Sequence, residues 1–230
     1  MKTITEYLST NVAKPMVKQK PIYATNETIH QIVKSELDRL GHDADLNHID
    51  VSEVTIMGDL FNLDEKIYGD LNPDISQWDV SKVEDMSFMF RKAKMFNCDI
   101  SNWHVSKVKN MKFMFYECKQ FNQDLSQWDV SKVENMMSMF EHCENFNCDI
   151  SEWDVSNVIN MCNMFYNCEI FNQDLSRWKV SKVENTVSMF EGCEYFSQDL
   201  SGWDVSSVTD RVYMFYDCPS MKKEFLPEFE

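Results

Sequence analysis

A repeat of 25 residues constrains this chain more than any other feature of its sequence. We call the residues that occupy one repeat position in successive repeats a column. A fixed period of about 20 to 50 residues is typical of stacked architectures, in which no repeat buries its apolar face alone. The repeats therefore predict a core shared between neighbours. The Trp column is Trp78, Trp103, Trp128, Trp153, Trp178 and Trp203, and the Cys column is Cys118, Cys143, Cys168, Cys193 and Cys218.

The pattern inside one repeat predicts a short strand followed by a helical turn. Leu125, Trp128 and Val130 have the spacing of the strand in a leucine-rich repeat, with Trp and Val pointing inwards. Asn135 lies in a column of Asn and Asp, the residue types that begin helices, and apolar residues follow it at helical spacing. We therefore predict an α/β solenoid, leucine-rich-repeat-like, of about six to seven 25-residue coils with an N-terminal capping helix.

The chain divides into four segments. Residues 1–24 are weakly patterned and predict an N-terminal linker. Residues 25–41 carry apolar residues at helical spacing and end in Gly41, so we expect a helix that caps the open end of the stack. Residues 42–218 hold the repeats, and residues 219–230 form a C-terminal cap or tail. Four extra residues between Phe61 and Trp78 predict a bulging loop.

Charge limits the classes of partner. The formal net charge is −16, so the field of the chain repels nucleic acid and anionic membranes and favours a basic protein. No stretch has the length and apolar character of a signal peptide or a transmembrane helix. We therefore expect a cytoplasmic monomer that binds protein, with no nucleic-acid or membrane partner.

The Cys column has three interpretations. Neighbouring cysteines would lie about 4.8 Å apart, a separation that a disulfide tolerates. Ala93 occupies the same column, which favours buried free thiols acting as small apolar side chains. A metal site is the third interpretation, although a linear stack does not present tetrahedral ligands. We predict no metal and no cofactor.

Asn and Asp recur at the corner before each Trp. Stacked carboxylates there would suit calcium, whereas Asn and Asp also close turns through their side chains. The turn interpretation is favoured because the glycines of calcium-binding repeats are missing from this pattern. The columns are Asn72, Asn97, Asn122, Asn147, Asn172 and Ser197, and Asp74, Asp99, Asp124, Asp149, Asp174 and Asp199.

The string MFEHCENFNCDISEWDVSNVINM, residues 139–161, resembles the DUF285 repeat of BspA-like leucine-rich-repeat surface proteins. The resemblance extends over residues 45–218. It implies a leucine-rich-repeat-like solenoid from a bacterium, a mycoplasma or one of their phages, with adhesion or protein binding as its role and no catalytic residues. Because no signal peptide or lipobox is visible, an intracellular or phage-encoded relative is favoured.

Sequence variation points to a binding surface beside the Trp column. The residues before and after each Trp change from repeat to repeat, while the core columns hardly vary, and we predict that they face a partner from the concave side. Histidines are scattered and no catalytic motif is present, so we predict no enzyme activity. The predicted partner-binding residues are Gln77, Asp79, Asn102, His104, Gln127, Asp129, Glu152, Asp154, Arg177 and Lys179.

Three functions are compatible with these features. The first is a non-enzymatic protein-protein interaction module. The second is an acidic, possibly phage-encoded inhibitor that mimics nucleic acid, an idea that rests on the net charge. The third is a structural or assembly protein formed by end-to-end stacking.

Overall fold

The computed structural model describes residues 20–229. Strand β1 (Ile22–Tyr23) is followed by helix α1 (Ile29–Leu40), strand β2 (Ile49–Asp50), helix α2 (Glu65–Tyr68) and a 3-10 turn at Lys223–Phe225. The two strands pair in parallel, with Ile22 opposite Ile49 and Tyr23 opposite Asp50. Residues 71–222 consist of turns, irregular links and isolated bridges.

The predicted α/β solenoid of leucine-rich-repeat type is wrong. Residues 71–222 contain neither a helix nor a multi-residue strand, and neighbouring repeats meet at single parallel bridges such as Asn110 to Asn135. The physical reason is backbone geometry: each repeat has two left-handed residues four apart, for example Phe113 at φ 56° and Glu117 at φ 58°. A right-handed helix cannot include such residues, so the predicted helical turn is a run of tight turns.

The backbone hydrogen bonds of this run join one repeat to the next. We call residues 111–117 and their equivalents the ladder segment. Every second N–H of the ladder segment donates to a carbonyl of the following repeat, and its carbonyls accept from the preceding repeat. The ladder N–H groups that bond between repeats therefore all donate towards the C-terminal end. The donors Met111, Phe113, Phe115 and Glu117 reach the carbonyls of Asn135, Met137, Met139 and Glu141 at 2.8–3.0 Å.

Aromatic side chains stack along the same direction and form the centre of the core. Phe115 lies between Phe90 and Phe140, with ring centroids 5.5 and 5.6 Å apart. A second row passes through Phe121, whose ring lies 4.1 Å from that of Phe115. Stacked pairs of this kind stabilise by about 0.5–1.5 kcal/mol beyond their burial. Because the same pairs recur in each repeat, the core is continuous from repeat to repeat.

Helix α1 covers the N-terminal end of the stack. Its residues Ile29, Val33 and Leu37 are buried against the first repeat. The side-chain oxygen of Asn26 accepts hydrogen bonds from the N–H groups of Thr55 and Ile56, at 2.9 and 3.2 Å. Without α1 and Asn26, the first repeat would expose these backbone donors and its apolar surface to solvent.

The insertion before Trp78 forms a helical turn where the sequence predicts a loop. Asp64 begins α2 by accepting a hydrogen bond from the N–H of Lys66 at 3.0 Å. Tyr68 at its end is buried, and its hydroxyl donates to the carboxylate of Asp38 in α1. The extra residues therefore attach the N-terminal helix to the stack.

Candidate partner-binding strip

The Trp column separates buried from exposed side chains. Each indole Nε1 donates to a carbonyl of an earlier repeat, as Trp153 does to Leu125 at 3.0 Å, and the rings are only 3–5% exposed. We call the residues on either side of each Trp the Trp-flank strip. All ten predicted members are exposed: Gln77, Asp79, Asn102, His104, Gln127, Asp129, Glu152, Asp154, Arg177 and Lys179.

The strip is not built on strands, which corrects the premise of a concave strand face. The residue before each Trp lies in a turn, and the residue after it belongs to no helix, strand or turn. The side chains on either side of each Trp point outwards because the indole between them is buried. The strip therefore depends on the Trp contacts and not on a sheet.

The aspartates of the strip also close turns. The carboxylates of Asp79, Asp129 and Asp154 accept hydrogen bonds from the N–H groups of the serines two positions later, at 3.0–3.1 Å. The hydroxyl and the N–H of Ser156 lower the pKa of the Asp154 carboxyl, with a smaller contribution from Lys179. The charge of these residues is thus fixed in position while it faces solvent.

One part of the strip carries basic side chains. The guanidinium of Arg177 lies 2.6 Å from the carboxylate of Glu152, one repeat earlier. Together with Asp154 and Lys179 they line a shallow depression of about 320 Å³. His104 and Lys179 stand where other repeats have the turn-closing Asp, so the acidic strip is interrupted, with a basic spot at Arg177 and Lys179.

The corner columns have structural roles of two kinds. The Asp column closes turns, because Asp124 accepts a hydrogen bond from the N–H of Ser126 at 2.9 Å and its equivalents do the same. The Asn column instead joins repeats: the side-chain oxygen of Asn147 accepts from the N–H of Asn172 at 3.0 Å. Among residues 20–229, no three His, Cys, Asp or Glu are arranged to hold a metal ion.

The Cys column is buried and its thiols are free. Burial raises the pKa of the Cys143 and Cys168 thiols well above their usual range. Thiols of this kind remain protonated and unreactive at neutral pH. The column therefore belongs to the core and offers no nucleophile.

Comparison with known families decides which family this chain is in. A family model described as "Mycoplasma protein of unknown function, DUF285" matches residues 31–141 and 123–229. The chain belongs to the DUF285 family. No curated protein and no solved structure matches it.

In this DUF285 chain, the described residues 20–229 include no helix with the length and apolar character needed to cross a membrane. The DUF285 match begins inside α1 and continues to Phe229, so the family model includes the N-terminal helix as well as the repeats.

The sequence interpretation missed a group of aromatic and basic side chains on the ladder segments of this DUF285 chain. The rings of Phe88 and Phe113 stack at 5.0 Å, and Lys112 Nζ lies 5.3 Å from the Phe88 centroid. Arg91 lies 5.4 Å from the ring of Tyr116. Phe88 and Phe113 hold left-handed backbone, which bulky residues rarely adopt. The signal in the sequence is that this column changes between Phe, Ser, Asn and Tyr.

Proposed function

We propose that this DUF285 chain is a non-enzymatic protein-binding module that recognises its partner through the Trp-flank strip. The supporting observation is that all ten strip residues are exposed and that both strip columns vary in residue type along the chain, while the Trp residues between them are buried and invariant. A uniform core with a variable exposed surface is the arrangement by which repeat proteins bind partners.

The charge of the strip defines the partner. Asp79, Asp129 and Asp154 present carboxylates, and the chain as a whole carries a net charge of −16. Complementary charge raises association rates and selects against wrong partners. The partner therefore carries basic patches opposite the acidic repeats, with an acidic group opposite Lys179.

A variant in which three acidic side chains of the strip lose their charge tests this proposal without disturbing the turns. In the variant Gln127→Ala, Asp129→Asn, Glu152→Gln and Asp154→Asn, each Asn keeps the oxygen that accepts from the serine N–H. Immobilised wild type and variant are compared for the amount of partner that each retains from the native host. We expect the variant to retain about tenfold less, as for the loss of a few central contacts.

The matched control changes charge on another column. Asp99→Asn, Asp124→Asn and Asp149→Asn also preserve a turn-closing oxygen, because these carboxylates accept from serine N–H groups in the same way. This control variant should retain as much partner as wild type does. Equal loss in both variants would point to total charge, and no loss in the strip variant would contradict the proposal.

The second candidate, an acidic mimic of nucleic acid, rests on the net charge. Basic residues interrupt the acidic surface, since Lys82 pairs with Glu53 at 2.6 Å and Lys109 with Glu84 at 2.8 Å. A mimic would lose its partner steeply as salt rises, because exposed charges are screened. A weak salt dependence would favour the protein-binding module.

The third candidate, assembly by end-to-end stacking, is opposed by α1, which occupies the N-terminal end of the stack. Light scattering distinguishes it: a mass that stays constant with concentration removes this candidate.

Kinship with BspA-like surface proteins and an intracellular location form part of the proposal. The repeated M-F-x-x-C and D-[IL]-S-x-W-D-V-S elements support the first. The location is supported by the protonated thiols of the Cys column, which suit a reducing compartment. Fractionation of the native host tests the location.

A further inference from the structure

In the last ladder segment that the structure describes, a row of backbone donors has no acceptor among residues 20–229. In the preceding repeat, the N–H groups of Ser188, Phe190 and Gly192 donate to carbonyls of residues 212, 214 and 216 at 2.9–3.1 Å. The equivalent N–H groups of Tyr213, Phe215 and Asp217 have no acceptor among residues 20–229. We call residues 211–217 the edge segment.

The side chains of the edge segment differ from those of the preceding repeat in a way that suits contact with a partner. Ser188 and Glu191 are replaced by Tyr213 and Tyr216, which are 61% and 62% exposed. The two tyrosine rings lie 5.5 Å apart in an edge-on arrangement. Tyrosine is enriched in binding interfaces because it combines a large apolar area with a polar tip.

The hydrogen-bond polarity of the edge segment excludes pairing with the edge segment of a second copy of this chain. The ladder N–H groups that bond between repeats all donate towards the C-terminal end, so two edge segments placed against each other would oppose donors with donors. The carbonyl face of the first repeat is covered by α1, where His30 Nε2 contacts the Gly58 oxygen at 2.9 Å. Head-to-tail stacking therefore requires the removal of α1.

We propose that the edge segment binds a segment of another polypeptide with the backbone of a ladder segment, whose alternate carbonyl oxygens accept from the N–H groups of Tyr213, Phe215 and Asp217. This is backbone augmentation, as when a peptide adds to the open edge of a sheet, here on an edge made of turns. Tyr213 and Tyr216 contact the side chains of the bound segment. The tail meets the edge at Arg211, whose guanidinium lies 4.2 Å from the Phe229 ring, so binding extends from Tyr213 onwards.

A peptide that copies an interior ladder segment is the direct probe. Residues 182–195, with serine in place of Cys193, supply the carbonyl row that interior repeats receive. Amide hydrogen exchange of the full chain is followed by nuclear magnetic resonance with this peptide and with a scrambled peptide of the same composition. We expect exchange at Tyr213, Phe215 and Asp217 to slow at least tenfold with the first peptide only.

Two substitutions separate binding from folding. Tyr213→Asn and Tyr216→Glu introduce residue types that interior repeats already use, at Asn163 and Glu191. Asn tolerates the left-handed backbone of position 213, φ 60°, better than Tyr, so stability is retained. The double variant should bind the peptide about tenfold more weakly. Tyr166→Glu, in the column of Tyr216 but in an interior repeat, should bind like wild type.

Each result of these experiments either supports or overturns the proposal that the edge segment binds a peptide. Unchanged exchange of the three amides, or equal slowing with the scrambled peptide, overturns the proposal. A concentration-dependent dimer lost in the double variant would also overturn it, because a second copy would then cover the edge. The strip variant of the protein-binding proposal leaves the edge segment intact, so it should bind the peptide normally and the two proposals fail independently.

Discussion

The thiol of Cys143 donates a hydrogen bond to the carbonyl oxygen of Phe115, 28 residues earlier in the chain, at 2.9 Å. The same oxygen accepts a second hydrogen bond from the N–H of Cys118 at 2.9 Å. Cys118, Cys168 and Cys193 repeat the thiol contact at 2.9–3.0 Å. Cysteine in this column is therefore a small apolar side chain that also satisfies a buried carbonyl of the previous repeat.

The first prediction is a loss of stability at alkaline pH. Burial raises the pKa of the Cys118, Cys143, Cys168 and Cys193 thiols. In the unfolded chain they ionise near pH 8.5, so above that pH the unfolded state holds fewer protons than the folded state. Each thiol then lowers the free energy of unfolding by about 1.4 kcal/mol per pH unit until the folded pKa is reached. Below about pH 8.5 the stability contributed by the buried, protonated thiols is fully present.

Urea unfolding between about pH 7.5 and 9.5 checks this prediction. Cys143→Ala is the control, because Ala93 shows that the column accepts Ala. In this variant the free energy of unfolding should fall less steeply with pH, by the contribution of one thiol. A free energy of unfolding that stays constant over this range would contradict buried protonated thiols.

The second prediction concerns thiol reactivity. Cys98 and Cys162 are half-buried and lie outside the Cys column, whereas Cys118, Cys143, Cys168 and Cys193 are fully buried. Iodoacetamide should therefore label Cys98 and Cys162 first in the folded protein, since reactivity needs an accessible thiolate. Peptide mass spectrometry over time measures the order. Early labelling of Cys143 would show that the column is open to solvent.

The third prediction tests the Asn contacts between repeats. The side-chain oxygen of Asn147 accepts from the N–H of Asn172 and from the amide of Gln173, at 3.0 and 2.9 Å. Asn147→Ala leaves that N–H without its acceptor, which should cost about 1–3 kcal/mol. Asn147→Asp keeps an acceptor oxygen and should cost less. Equal losses for the two variants, measured by urea unfolding, would assign the effect to packing instead.

The fourth prediction is a loss of stability in acid. The N–H and the hydroxyl of Ser126 lower the pKa of the Asp124 carboxyl. The folded state therefore binds the proton more weakly than the unfolded state, so this stability is present above about pH 3.9 and is lost as pH falls through the folded pKa. The carboxylate is exposed, so the loss per site is only about 0.5–1 kcal/mol.

Asp124→Asn is the comparison for the acid prediction, because it keeps the turn-closing oxygen without a titrating group. Thermal unfolding at pH 7 and at pH 3 should show a smaller acid shift for this variant than for wild type. An identical shift would mean that the Ser126 contact does not affect the titration.

Sequence periodicity predicts side-chain burial well and backbone conformation poorly. Trp128, Phe140 and Cys143 are buried because any structure that places neighbouring repeats in register must cover them. The spacing of Met136, Met139 and Phe140 suggests a helix, yet inward residues three and four apart also occur in a run of turns. Ser138 has left-handed backbone, φ 54°, without the glycine that would reveal it.

The candidate site also has features that the sequence predicts and features that it does not. The exposure of Gln127 and Asp129 follows from their place beside a buried indole, whereas their role in binding stays a prediction. The sequence predicts that the corner Asn residues close turns, because local contacts are the ones that a sequence displays. The contact from Asn147 to Asn172 joins residues 25 apart, and only the register of the coils brings them together.

The hydrogen bonds between neighbouring repeats are the same at each step, so a gene encoding this chain can change length in whole units. Excision of residues 122–146 would join Phe121 to Asn147, which replaces Asn122 in its contact with Asn97. Unequal recombination would thus yield shorter or longer descendants whose junctions are already compatible, and the number of displayed Trp flanks could evolve separately from their chemistry.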